Sequence, residues 1–76
     1  MADDEVYQLL NQDDVRVILS YANNDMRLSG AARDTFYARN TYEYALDRIY
    51  RKTKLNPRSF YDLVTLVRVI ANARHS

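Results

Sequence analysis

Arg39, Asn40, Thr41, Glu43 and Tyr44 fall within six consecutive positions of the chain. On the leading turns of a helix, such side chains match the edges of bases. Arginine forks onto guanine, asparagine onto adenine, and glutamate accepts from the cytosine amino group. Thr41 suits a phosphate contact or a place inside the fold. Arg27, Ser29 and Arg33 precede this group, and Arg48, Arg51 and Lys52 follow it. These are the residue types that grip a phosphate backbone. Each also has a plain structural reading. Arg39 hydrates the surface, Tyr44 packs its ring on the preceding helix, and Glu43 pairs with a neighbouring cation. Asp47 and Arg51 are spaced for an i,i+4 ion pair worth about 0.2–0.5 kcal/mol.

No other set of residues carries chemistry of its own. Asp3-Asp4-Glu5 and Asp13-Asp14 are carboxylate clusters, but acids belong at helix starts for electrostatic reasons. They lack a histidine companion or the ligand spacing of a metal site. His75 lies one residue from the end, where chains fray. There is no cysteine, hence no disulfide and no thiolate metal site. A glycine-rich phosphate loop is missing as well. The expectation is a protein that is not an enzyme and has no metal, cofactor or small-molecule ligand.

A net charge of +1 conceals a strong asymmetry. Residues 1–26 hold six acids against Arg16 alone, whereas residues 27–58 hold eight cations against three acids. A positive block of this kind is suited to a polyanion. With 76 residues and 47% hydrophobic content, one domain spanning 1–76 is expected. Its core supplies only about 3–5 kcal/mol, so association would add useful stability. The acidic N-terminus is unlike a signal peptide, and no apolar run approaches the roughly 20 residues of a membrane span. A soluble cytoplasmic domain with no membrane partner is therefore expected.

A single glycine and a single proline argue against strands and tight turns. The spacing predicts an all-α fold, a compact bundle of about five helices. Asp3 or Asp4 caps a short first helix carrying Val6, Leu9 and Leu10. Asp13 or Asp14 caps a second, with Val15, Ile18, Leu19 and Ala22 on one face, ending at Asn23-Asn24, residues that tolerate left-handed backbone. Ser29 caps a third helix running to about Phe36, with Ala31, Ala32 and Thr35 facing inward. A fourth runs from about Arg39 to Thr53 on Tyr42, Leu46, Ile49 and Tyr50. Residues 28–53 thus read as a helix-turn-helix. The last helix starts at Asn56-Pro57, or at the alternative cap Ser59, and runs to about Arg74.

That last helix has an unusually wide apolar arc. Phe60, Val64, Val67, Ile70 and Ala71 form a stripe with Leu63 at its edge, and Leu66, Val69 and Ala73 broaden it. Either two neighbouring helices cover this arc or a second subunit does. The favoured reading is a homodimer through Leu66, Val69 and Ala73. Most of the seven tyrosines suit the edge of a small core, while Tyr7 and Tyr61 are also suited to an interface.

Between about Val15 and Val67 the chain resembles the C-terminal helix-turn-helix domain of PucR-type bacterial transcription regulators. The likeness is carried by Ala31-Ala32-Arg33, Arg39-Asn40-Thr41, Tyr44, Leu46, Ile49, Thr53, Leu55 and Pro57. Ala38 stands where that family has histidine, Ala45 where it has arginine, Tyr42 where it has leucine, and Lys54 where it has glycine. The changes imply an empty helix cap at Ala38, a lost phosphate contact at Ala45, and a Tyr42 hydroxyl in need of a partner. The family's larger sensory region does not appear in this sequence, so a stand-alone protein or an excised domain is expected, and the acidic start favours the stand-alone form. The resemblance implies sequence-specific binding of double-stranded DNA and transcriptional regulation. The alternative is a protein–protein interaction module on the same fold, with DNA binding lost.

Overall fold

The computed structural model describes residues 3–75; Met1, Ala2, Ser76 and the side chain of His75, including any role for that imidazole, lie outside the described residues. Five helices follow in order: α1 (Asp3–Gln8), α2 (Gln12–Asn23), α3 (Leu28–Thr35), α4 (Arg39–Thr53) and α5 (Phe60–His75). Among the described residues there is no strand. The radius of gyration is 11.4 Å, close to the ~11 Å of one folded domain of this length. The all-α bundle stands as predicted, and α3 and α4 span the predicted 28–53.

Helix α2 is the hub, packing against α3, α4 and α5, while α1 lies on α5 and α3 on α4. Its core residues are Val15, Val17, Ile18 and Tyr21. They meet Ala31 and Ala32 of α3, Leu46 and Ile49 of α4, and Leu66 and Ile70 of α5 in one cluster. Gly30 sits where α3 crosses the end of α2. A β-carbon there would come within 2.6 Å of the Asn24 side-chain oxygen, so a larger residue would displace that side chain from its bonds to Ser20 and Asp34.

Several local details differ from the sequence reading. The cap of α2 is Asn11, in a reciprocal capping box with Asp14, so neither Asp13 nor Asp14 is the cap. The reversal after α2 uses positive φ at Asp25 and Met26, not at Asn23 or Asn24. The Asn24 side chain is instead bonded to the Ser20 carbonyl and the Asp34 carboxylate. Helix α3 is preceded by Arg27 with no side-chain cap bond, and Ser29 is an exposed second residue of the helix rather than its cap. Helix α5 begins at Phe60, after a turn in which the Ser59 amide donates to the Asn56 carbonyl at 2.9 Å. Asn56 therefore organises a turn, and the alternative start at Ser59 applies.

On α5 the buried face is Leu63, Leu66, Val69 and Ile70, whereas Phe60 and Val64 are exposed. The stripe is rotated relative to the sequence reading because α1 and α2 both lie against α5. Leu9 and Tyr50, expected inside, are also exposed. No helix among the described residues is long and apolar enough to cross a membrane.

Candidate nucleic-acid interface

Helix α4 is held along its whole inner face. Tyr42, Ala45, Leu46, Ile49 and Thr53 are buried. The Tyr42 hydroxyl donates to the Val17 carbonyl at 2.7 Å and lies 2.7 Å from the Ser20 hydroxyl. The extra polar atom that tyrosine brings to an apolar position is thus fully satisfied. Burial pushes this hydroxyl's pKa up to about 12, with the Ser20 hydrogen bond pulling the other way.

A second attachment is ionic. Asp14 is fully buried and receives Arg48 at 2.9 and 3.1 Å and Lys52 at 2.5 Å. Arg48 also reaches Asp13 at 3.0 Å. Burial alone would raise the Asp14 carboxyl, but hydrogen bonds from Lys52, the Asn11 amide and Arg48 outweigh it and hold the pKa below its ordinary value. The same pairs raise Arg48 against the opposing effect of its own burial.

Arg48 and Lys52 are therefore tied to a carboxylate of another helix and are not free surface cations. A buried carboxylate without cations would be strongly destabilising, and these two side chains neutralise it. The Asn11-x-x-Asp14 spacing was the available signal for Asp14, and Arg48 and Lys52 are one helical turn apart. The expected Asp47–Arg51 pair is also replaced. Asp47 accepts from Arg58 at 2.7 Å, and Arg58 reaches the Glu43 carbonyl at 3.4 Å. Ala45 faces the core with 2% exposure, so the alanine packs there and forfeits no phosphate contact.

With its body fastened, α4 leaves its leading turn outside. Arg39, Asn40 and Thr41 are all exposed. Arg39 pairs only with Glu43, at 3.6 Å and in solvent, an attraction of the few-tenths kind. The Asn40 side-chain oxygen accepts from the Thr41 amide at 2.9 Å. It meets one of the amide donors of the first turn, which Ala38, making no cap bond, leaves unserved. Tyr44 is 59% exposed with the Arg51 guanidinium 5.4 Å above its ring; it is not a core residue. Arg27, Ser29 and Arg33 are exposed on or beside α3. The solvent side of α4 thus includes Arg39, Asn40, Thr41, Tyr44 and Arg51, with Glu43 half-buried.

The predicted subunit contact is not on the surface. Leu66 and Val69 are buried in the protein's own core, Ala73 is half-buried, and α1 and α2 take up the arc that suggested a partner. The exposed large apolar residues of α5 are instead Phe60, Tyr61 and Val64, with Phe60 and Tyr61 edge to face at 5.6 Å, and Ala71, expected in the apolar stripe, is exposed as well. Tyr7 is partly buried against the core.

Compared with family models, curated proteins and solved structures, the chain matches none.

Proposed function

We propose that this protein binds double-stranded DNA sequence-specifically and regulates transcription, with α3 and α4 acting as a helix-turn-helix. The observation that carries this reading is the leading turn of α4. Arg39, Asn40 and Thr41 stand clear of the protein on a helix whose body is fastened to α2 by hydrogen bonds and ion pairs. In this motif the second helix enters the major groove with its N-terminal residues at the bases. Arg39 and Asn40 are the base readers, Arg27, Ser29 and Arg33 hold the backbone on one side, and Arg51 does so beyond Tyr44. The resemblance to the PucR-type domain points the same way.

The test is a duplex selection followed by titration of the selected duplex across a salt series. Of the eight cations in residues 27–58, Arg48, Lys52 and Arg58 are held on carboxylates of other segments. Arg27, Arg33, Arg39, Arg51 and Lys54 carry no such pair among the described residues. Counterion release by five phosphate contacts gives a slope of log affinity against log salt no steeper than about −4.5. Arg39→Ala is expected to weaken binding about tenfold and to relax specificity at one base position. No binding to any duplex at about 50 mM salt overturns the proposal.

A second reading, a protein-interaction module, rests on the exposed Phe60, Tyr61 and Val64 of α5. It predicts that substitutions on α5, not on the leading turn of α4, abolish function.

A further inference from the structure

Phe36 is 91% exposed, the highest value among the exposed large hydrophobic residues. It closes α3 at φ 61° and ψ 29°, the left-handed region that glycine or asparagine occupies with least strain. A phenylalanine here bears backbone strain and leaves its ring in water, and packing within the chain compensates neither.

The backbone that carries the ring is pinned on both sides. The next residue, Tyr37, turns inward: its hydroxyl donates to Asp13, its ring meets Tyr42 edge-on at 6.4 Å, and Arg16 lies 5.6 Å over its face. Arg16 also donates to the Thr35 carbonyl at 2.7 Å, and the Tyr37 amide to the Ala32 carbonyl at 2.9 Å. Gripped from within on both sides of Phe36, the connector points that side chain away from the core. Arg33 stands three residues before it and Arg39 three residues after, both exposed.

We propose that Phe36 is the apolar member of the DNA contact, its ring packing on carbon surface of the duplex beside the groove entered by α4; this rests on the DNA-binding reading above. Charge complementarity selects this occupant. An apolar protein surface laid over Phe36 would strip water from Arg33 without pairing it and from Arg39 with only its weak Glu43 contact to offset the loss. A duplex supplies a phosphate for Arg33, a base edge for Arg39, and deoxyribose carbons or a thymine methyl for the ring. The pinned backbone lowers the cost of placing the ring, whose own rotamer freedom is still lost on binding.

The test compares the wild-type chain with Phe36→Asn on the selected duplex, and on the same duplex with thymines replaced by uracil. Asparagine tolerates the left-handed backbone, so the melting temperature is expected to hold or rise. Duplex affinity is expected to fall about tenfold, with an unchanged salt slope because no phosphate contact is lost. Arg33→Ala, by contrast, lowers the slope by about 1. If uracil weakens the wild type but not Phe36→Asn, the ring sits on a thymine methyl. If uracil acts on neither while Phe36→Asn is weak, it sits on deoxyribose; both outcomes support the proposal. Wild-type affinity in Phe36→Asn overturns it and leaves DNA binding intact. So does a variant that loses self-association but keeps duplex affinity, which assigns the ring to a protein contact. A wild-type chain that binds no duplex removes this inference together with the reading beneath it.

Discussion

Asp14 joins a local job to a long-range one. Its carboxylate closes the capping box at the start of α2 through the Asn11 amide at 3.1 Å and receives Arg48 and Lys52 from α4. The two cations are each about a third exposed and would regain water if released. Asp14→Asn is therefore expected to cost about 2–3 kcal/mol, below the upper range for a fully buried pair, as measured by urea unfolding. The pH dependence follows from the direction of the shift. A carboxyl held below its ordinary value of 3.8 stabilises the fold fully above that pH and loses its contribution as pH falls through the folded value. Thermal unfolding followed by circular dichroism should show an acid limb below about pH 4 that is shallower in Asp14→Asn. Tyr42 has the opposite sign. With its hydroxyl raised to about 12, its contribution is complete below the ordinary value of 10.0 and is lost as pH rises toward 12. Tyr42→Phe should lower stability by about 1 kcal/mol at neutral pH and flatten part of the alkaline limb. Part of that limb remains, because the Asp13 hydrogen bond also raises Tyr37.

At the scale of an element, α4 is well placed and poorly terminated. Its start, Ala38, makes no side-chain cap bond, and its end, Lys54, is left-handed at φ 63°. The interior compensates: five buried side chains, the Tyr42 hydrogen bonds and the Asp14 pairs fasten it to α2. The last turn carries Arg51 and Lys52, which suit the helix dipole. Repairing either end should therefore raise stability. Ala38→Ser is expected to add about 1 kcal/mol, and Lys54→Gly about 0.5–1 kcal/mol, both read from the shift of the urea midpoint at constant slope. Helix α5 has the converse character. Its wide apolar arc is matched by two neighbours, α1 and α2, which leave Phe60, Tyr61 and Val64 outside.

At the scale of the molecule, the charge asymmetry is partly consumed by folding. The acidic first third faces the basic middle, and their meeting at Asp13, Asp14, Arg48 and Lys52 is a structural joint between α2 and α4. The cations that remain available are thus fewer than the sequence contains. If Arg48, Lys52 and Arg58 also bound phosphates, the salt slope of duplex binding would approach about −7. The structure instead gives an expected limit near −4.5, and the measured slope decides between the two.

Helix number, the bounds of α4, and the inward set Ala31, Ala32, Tyr42, Leu46 and Ile49 were all legible in the linear chain. They depend on periodicity and local chemistry, which neighbouring residues determine among themselves. The exposed leading turn at Arg39 could be anticipated for the same reason. Tertiary structure alone decided which cations are consumed and which apolar side chains stay outside. Arg48 and Lys52 look like any surface cations until α2 brings Asp14 beneath them. Leu66 and Val69 look like an interface until α1 and α2 cover α5. Phe36 is one more apolar residue in the sequence; the inward turn of its neighbour Tyr37 is what faces it to solvent. Pairing and burial depend on groups distant along the chain, and that is why they became visible only in the folded molecule.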